Sequence, residues 1–139
     1  MRFVVAQTAL LAAVLAAPRG RPLQPRLGTA LLGAGLALAG SGIAALGRSL
    51  TPLPEPRRGG TLVERGPYRL VRHPIYGGGL LAATGWSLRR SPAGLVPTAP
   101  LAAVWAAKAR HEEDLLAERF PGYADYRRRT PRRFVPEVF

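Results

Sequence analysis

The chain has 139 residues, with 20 Lys and Arg against 8 Asp and Glu, a net charge of +12 and 47% hydrophobic residues. This length predicts roughly one domain, and the charge fits either nucleic acid or the basic cytoplasmic loops of a membrane protein. Because the chain has no cysteine, disulfide scaffolds, thiolate zinc sites, iron–sulfur clusters and cysteine nucleophiles are excluded.

Apolar and charged residues lie in separate blocks, which favours an integral membrane protein. The first block, residues 3–17, carries no charge and precedes PRGRPLQPR, whose prolines do not continue a helix. We predict a short membrane span here. A secretory signal peptide, with Arg2 as its basic start, is the alternative.

The second block, residues 27–47, is the clearest predicted membrane span. Its 21 residues contain no charge, and at about 1.5 Å per residue they cross the roughly 30 Å hydrocarbon layer. Gly33 with Ala37, and Gly35 with Ala39, have the small-xxx-small spacing that lets helices approach closely in lipid. We expect these glycines to serve helix packing.

A polar stretch follows, residues 48–72, with the breakers TPLPEP and RRGG, and it is predicted as a cytoplasmic loop. Residues 74–88 and 92–109 are then predicted to form a helical hairpin with two arginines at its turn. Pro97 and Pro100 are expected to kink or delay the second arm.

The distribution of basic residues predicts the orientation. With four spans, one side carries 15 basic residues and the other carries 5, so the positive-inside rule puts both termini in the cytoplasm. The predicted fold class is all-α integral membrane: a single domain, residues 1–139, with about four transmembrane helices and a cytoplasmic tail, residues 110–139.

His73 is predicted to lie at the mouth of the third helix. A residue before proline avoids helical geometry, whereas Pro74 suits the first position of a helix. The arms of the hairpin are roughly 22 and 27 Å long, so the chain returns to the side from which it left. His73 and Tyr76 are therefore expected near Glu112 and Glu113, where they form a pocket at the cytoplasmic surface.

Such a pocket suits a ligand with an anionic end and neutral donors. Helix N–H groups with Arg72 or His73 can receive a carboxylate, and Glu112 or Glu113 can accept hydrogen bonds from hydroxyl or amino groups. Neighbouring helical residues point about 100° apart, so one glutamate should face the pocket more directly. The glycines at 77–79 are expected to let a ligand approach the backbone.

Two stretches, GPYRLVRHPIYGG at Gly66–Gly78 and HEEDLLAERFPGYADYRRRTPRRFVP at His111–Pro136, closely resemble the isoprenylcysteine carboxyl methyltransferase and phospholipid methyltransferase superfamily of membrane enzymes. Their order, their separation and the hydrophobic hairpin between them all agree. The resemblance implies methyl transfer from S-adenosylmethionine, the cofactor, to a lipid-like or small hydrophobic acceptor. The acceptor group is a carboxylate or an amine.

The resemblance also implies the site residues. The cofactor-binding set is Arg72, His73, Tyr76, Gly78, Glu112 and Glu113. The predicted catalytic residues are Arg133 and Glu113: an arginine orients a carboxylate acceptor, or a glutamate or His73 accepts the proton of an amine. Arg132 stands beside Arg133, so the choice of arginine stays open. Tyr123 and Tyr126 either close the pocket or pack the tail.

Two other functions fit the sequence. One is an NADPH-dependent membrane reductase of the steroid 5α-reductase type, which has a similar His-Pro and helical arrangement. The other is a non-catalytic adaptor whose basic tail binds anionic lipid or a protein. The expected partners are membrane lipids and the hydrophobic substrate, with a possible homodimer through the glycine-rich second helix. Neither nucleic acid nor a metal ion is expected.

Overall fold

The computed structural model describes residues 1–53, 55 and 59–135, and all regular secondary structure in this part of the chain is helical, as expected. Three short 3-10 turns lie between or beside the α-helices, at Gly47–Ser49, Gly66–Arg69 and Pro92–Gly94. The α-helices are α1 (Arg2–Ala16), α2 (Pro25–Leu46), α3 (Pro74–Arg90), α4 (Leu95–Arg119) and α5 (Tyr123–Arg129). Residues 54 and 56–58, within the predicted loop, and Pro136 lie outside the described residues.

The most extensive helix contact joins α2 to α3, and glycines on α2 make it possible. Gly28, Gly35 and Gly42, spaced seven residues apart, are the buried residues of α2. A Cβ on Gly35 would lie 2.4 Å from the backbone nitrogen of Ala82. By contrast, Gly33, the other glycine of the predicted small-residue spacing, has open space where its Cβ would be. The backbones of α2 and α3 therefore approach each other along the face of α2 that carries Gly28, Gly35 and Gly42.

A small apolar core lies between α1, α3 and α4. Its buried members are Val14, Ala83, Leu101 and Trp105, with further side chains of α1 and α3 packed around them. Helix α1 runs mainly against α4. These contacts bring the N-terminal helix next to the second arm of the hairpin.

Helix α4 is longer than the predicted second arm, which ended at residue 109. It begins at Leu95, continues past Pro100 and ends at Arg119. The sequence HEEDLLAER consists largely of good helix formers, so the helix does not stop where its apolar stretch stops. The first ten residues of the predicted tail, 110–119, are therefore helical, and Glu112 and Glu113 lie on α4 itself.

Helix α2 with the turn after it, Pro25–Ser49, is long and apolar enough to cross a membrane, whereas Arg2–Ala16 is a shorter apolar helix. Among the described residues, α2 is therefore the one predicted span that is long and apolar enough to cross a membrane, and the other three predicted spans are not shown. At one end of the bundle, the backbone nitrogens of Leu23 and Gln24 donate to the carbonyl of Leu88. The segment before α2 and the turn of the hairpin therefore share an end, opposite the motif residues and the tail.

Candidate functional site

The RHP motif is held in place by the C-terminal tail. The Arg72 backbone nitrogen donates to the Arg132 carbonyl at 3.0 Å, and the His73 nitrogen donates to the Arg133 carbonyl at 2.8 Å. His73 is the N-cap residue of α3, with φ −129° and ψ 63°, and Pro74 takes the first helical position. The tail thus pairs through its backbone with the two residues immediately before α3.

Glu113 is the centre of a buried ionic cluster. Its side chain is 4% exposed. Its Oε1 atom accepts from Arg72 Nε at 2.9 Å and lies 3.1 Å from His73 Nε2. Arg133 binds both carboxylate oxygens, from Nε to Oε1 at 3.1 Å and from Nη2 to Oε2 at 3.0 Å. One carboxylate therefore joins α4, the residues before α3, and the tail.

The environment sets the protonation of this cluster. Burial by itself raises the pKa of Glu113, but hydrogen bonds from His73, Arg133 and Arg72 outweigh burial and hold that pKa well below its usual range. Burial lowers the pKa of His73, and this exceeds the opposing effect of its hydrogen bond to Glu113. At neutral pH the site therefore holds an ionised Glu113 and a neutral imidazole, which donates from Nε2 to Glu113 and leaves Nδ1 as an acceptor.

The neighbouring carboxylate, Glu112, has different surroundings. Tyr76 Oη donates to its Oε1 at 2.6 Å, while His73 Nδ1 lies 3.6 Å from Oε2 and Lys108 Nζ lies 3.9 Å from Oε1. Burial raises the pKa of Glu112 to about 7, against the opposing effects of Tyr76 and Lys108. Glu112 is thus poised to bind or release a proton near neutral pH.

A cavity of about 350 Å³ opens beside these groups, at the lower end of the range for small-molecule sites. One part of its wall is polar and includes Arg72, His73, Tyr76, Lys108 and Glu112. The rest is largely apolar, with Ile43, Leu46, Leu50, Leu53, Ile75, Leu62, Leu116 and Phe120. The cavity can therefore hold a polar group and an apolar group side by side.

The predicted site residues fall into two groups. Arg72, His73, Tyr76 and Glu112 line the cavity, whereas Glu113 and Arg133 lie behind its wall in the ionic cluster. As expected, one glutamate faces the cavity and the other does not. Arg133, not Arg132, makes the side-chain bonds to Glu113, while Arg132 contributes its backbone carbonyl to the pairing with Arg72.

The glycines after the motif lie in the first turns of α3 and pack against other parts of the chain. A Cβ on Gly77 would meet the carbonyl oxygen of Phe134, one on Gly78 would lie 2.5 Å from the oxygen of Gly35, and one on Gly79 would lie 2.5 Å from the Trp105 ring. All three glycines therefore allow close packing of tail, α2 and α4. Gly78 does not line the cavity among the described residues, so its position does not support the predicted cofactor contact.

The sequence reasoning missed Lys108 and Gln7 as site residues. Lys108 is 1% exposed, and its Nζ donates to Gln7 Oε1 at 3.2 Å and to the Pro52 carbonyl at 2.8 Å. Trp105 Nε1 donates to the same Gln7 oxygen. A lysine and a glutamine inside otherwise apolar helices were the available signal, because such residues rarely face lipid.

Comparison with known proteins gives a consistent picture. A family model described as phospholipid methyltransferase matches residues 23–122. The chain is 43% identical over 86 residues to the cobalt-zinc-cadmium resistance protein CzcN of Cupriavidus metallidurans, covering 59% of this chain and 38% of that relative. It is 34% identical over 84 residues to the nickel-cobalt-cadmium resistance protein NccN of Alcaligenes xylosoxydans xylosoxydans, covering 59% of this chain and 39% of that relative.

The chain therefore matches less than half of the length of these two curated relatives. Their printed names refer to resistance to metals. In the part of this chain that the structure describes, no group of three or more His, Asp or Glu side chains is placed to hold a metal ion.

Proposed function

Because the chain belongs to the phospholipid methyltransferase family, we propose that its cavity binds S-adenosylmethionine and that the protein transfers the methyl group to a lipid-like or small hydrophobic acceptor. The observation that carries the proposal is the meeting of Arg72, His73, Tyr76 and Glu112 at a cavity of about 350 Å³ whose remaining lining is largely apolar. The polar wall suits the methyl donor and the apolar wall suits the acceptor.

The residues present fit such a donor. Arg72 supplies a cation and Glu112 supplies a carboxylate on the same cavity wall, so the wall has partners for both a carboxylate and hydroxyl or amino groups. When bound, the donor supplies an electrophilic methyl group, so the chain mainly has to orient the acceptor and exclude water.

We assign positioning roles to Glu113 and Arg133, which were predicted as catalytic residues. Both oxygens of Glu113 are bound by the chain itself, and Arg133 is bound to that carboxylate. These two residues therefore hold Arg72 and His73 in place. Glu112 is the carboxylate that faces the cavity, and with a pKa raised by burial to about 7 it can accept a proton from an amine acceptor at neutral pH.

The site also supports a place at the cytoplasmic membrane surface. We propose that α1, α3 and α4 cross or enter the membrane beside α2, with both termini and the cavity on the cytoplasmic side. The apolar cavity wall includes Ile43 and Leu46 of α2, the helix that is long enough to span the bilayer. A lipid-like acceptor can thus approach from the bilayer while the polar donor approaches from the cytosol.

Ligand binding tests the proposal directly. Purified protein in detergent is titrated calorimetrically with S-adenosylmethionine, and its thermal stability is compared with and without S-adenosylmethionine or NADPH. We expect S-adenosylmethionine alone to bind and to raise the Tm. Stabilisation by NADPH alone would favour the reductase instead, and no binding of either ligand would favour the adaptor.

The matched variants Glu112→Gln and Glu118→Gln then test the site. Glu112 lines the cavity, whereas Glu118 is exposed on the same helix. Loss of one charged hydrogen bond should weaken binding roughly tenfold or more in Glu112→Gln, with Glu118→Gln unchanged. Equal affinity in the two variants would exclude Glu112 as a ligand contact.

Methyl transfer is assayed by incubating the protein with lipid extract and methyl-labelled donor. Label that enters the organic phase and is released by mild base indicates a methyl ester, whereas base-stable label indicates a methylated amine. Binding without any transfer would restrict the protein to a binding role.

A further inference from the structure

Two tyrosines of α5 are equally buried but differ in their hydrogen bonds. Tyr123 is 2% exposed and Tyr126 is 3% exposed, and their ring centroids are 5.8 Å apart. Tyr126 Oη donates to the carbonyl of Tyr68 at 2.8 Å. Tyr123 Oη is buried without a hydrogen-bond partner among the described residues. The pattern Y-x-x-Y thus contains one structural hydroxyl and one whose partner is missing.

Packing does not explain the Tyr123 hydroxyl. A buried hydroxyl without a partner costs free energy, and phenylalanine fills nearly the same space without that cost. Tyr123 also lines the cavity, as Arg72 and Tyr126 do, but the Tyr126 hydroxyl already has a partner in the Tyr68 carbonyl. A polar group that lowers stability at the edge of a ligand cavity is typical of a binding residue.

The charges around this hydroxyl indicate the kind of group that it meets. The charged groups that act on the Tyr123 hydroxyl are the carboxylate of Glu113 and the guanidinium groups of Arg72, Arg127 and Arg133. The ionised Glu113 is already paired with Arg72 and Arg133, and the three arginines outnumber this one carboxylate, so the surroundings carry excess positive charge. Burial raises the pKa of Tyr123 further above neutrality, and the hydroxyl therefore stays a donor. A donor in positive surroundings suits a carboxylate.

We propose that Tyr123 Oη donates a hydrogen bond to the carboxylate of bound S-adenosylmethionine. Tyr123 then selects for a methyl donor whose amino-acid end is intact. This inference rests on the proposed function. The hydroxyl is shielded from solvent in the present conformation. Because Oη lies on the axis about which the ring turns, contact with the carboxylate requires a change in χ1 of Tyr123, and changes of side-chain rotamer are common when ligands and partners bind.

The test compares Tyr123→Phe with Tyr126→Phe in the full-length protein in detergent. The Tm of Tyr123→Phe should equal or exceed that of wild type, because the substitution removes an unsatisfied group. The Tm of Tyr126→Phe should fall, because the Tyr68 carbonyl loses its donor. Affinity for S-adenosylmethionine should fall roughly tenfold or more in Tyr123→Phe and should change little in Tyr126→Phe.

A second probe, decarboxylated S-adenosylmethionine, isolates the carboxylate. Wild type and Tyr123→Phe should bind this analogue with equal affinity. The inference is overturned if Tyr123→Phe binds S-adenosylmethionine as wild type does, if it loses affinity for both probes alike, or if it unfolds as readily as Tyr126→Phe. If wild type binds neither probe, the proposed function fails first, so the two failures are distinguishable.

Discussion

At the scale of single residues, Glu112 and Glu113 differ more in environment than their adjacency suggests. Glu113 is surrounded by Arg72, His73 and Arg133, whereas Glu112 has a hydroxyl donor and faces the cavity. Consecutive positions on a helix point in different directions, so one carboxylate organises the site and the other is exposed to ligand.

We predict that Glu113→Ala strongly destabilises the protein. The substitution leaves the buried guanidinium of Arg72 without its carboxylate, and breaking a buried ion pair in this way costs about 3–5 kcal/mol. The Tm in detergent, measured by circular dichroism, should therefore fall by many degrees. The variant Glu118→Ala, at an exposed position of the same helix, provides the control. If Glu113→Ala were as stable as Glu118→Ala, the buried ionic cluster would not stabilise the fold.

The raised pKa of Glu112 predicts a pH dependence of stability. The unfolded carboxyl loses its proton near its ordinary pKa and the folded one near 7, so between those values the folded state binds more protons. Glu112 therefore stabilises the fold at low pH, and this contribution is lost as the pH rises towards 7.

The measurement is the difference in Tm between wild type and Glu112→Gln across that pH range. His73, whose pKa is lowered by burial, contributes the opposite slope because its unfolded form binds more protons below about 6.5. Because His73 Nδ1 lies 3.6 Å from Glu112 Oε2, the same comparison is repeated in a His73→Gln background, which removes the His73 contribution and isolates Glu112. A difference that is flat from pH 4.5 to 7 would show that the pKa of Glu112 is not raised.

At the scale of elements, the arrangement depends on backbone contact between helices. The α2–α3 interface uses glycines at every second turn of α2, and Gly77 of α3 lets the tail approach at Phe134. Because the tail pairs with Arg72 and His73, this close approach brings Arg133 to the ionic cluster. Close packing of the elements thus controls the geometry of the site.

Gly35→Ala and Gly33→Ala should have opposite effects on stability. A Cβ on Gly35 would lie within 2.5 Å of backbone atoms of α3, whereas a Cβ on Gly33 would meet nothing within 4 Å. We expect Gly35→Ala to lower stability by about 1–3 kcal/mol and Gly33→Ala to raise it by about 0.5–1 kcal/mol through helix propensity. Thermal unfolding checks both, and similar effects of the two substitutions would contradict the interface.

At the scale of the whole molecule, the bundle has two chemically different ends. Residues 20–24 lie against residues 88–90 at one end, and the motif, Glu112 and the tail gather at the other. If four helices enter the membrane, the end that contains residues 20–24 and 88–90 faces away from the cytoplasm. A hairpin turn on the cytoplasmic side would require residues 88–90 to separate from residues 20–24, which are hydrogen-bonded to them.

Single-cysteine labelling separates these topologies, since the chain has no cysteine of its own. In the variants Arg21→Cys, Arg89→Cys and Arg128→Cys, we expect a membrane-impermeant maleimide to label positions 21 and 89 from one side and position 128 from the other. All three side chains are exposed. Labelling of position 89 together with position 128 would contradict the four-span arrangement.

Much of this protein could be predicted from its sequence, because periodicity, charge and proline act locally. The apolar blocks predicted α1, α2 and α3 within a few residues, but the second arm of the hairpin, α4, ends ten residues later than predicted. His73–Pro74 predicted the start of α3, and the return of the hairpin predicted that His73 lies near Glu112 and Glu113. The family resemblance also came from local motifs, and the family match agrees with it.

Other features depend on contacts between residues far apart in the chain, and only the tertiary structure decided them. It determined that Glu113 is enclosed while Glu112 faces the cavity, that Arg133 rather than Arg132 binds Glu113, and that Gly78 packs against α2. It also brought Gln7 of α1 to Lys108. The direction of a side chain depends on helix rotation and on the partners that pack against it, and a sequence pattern records neither.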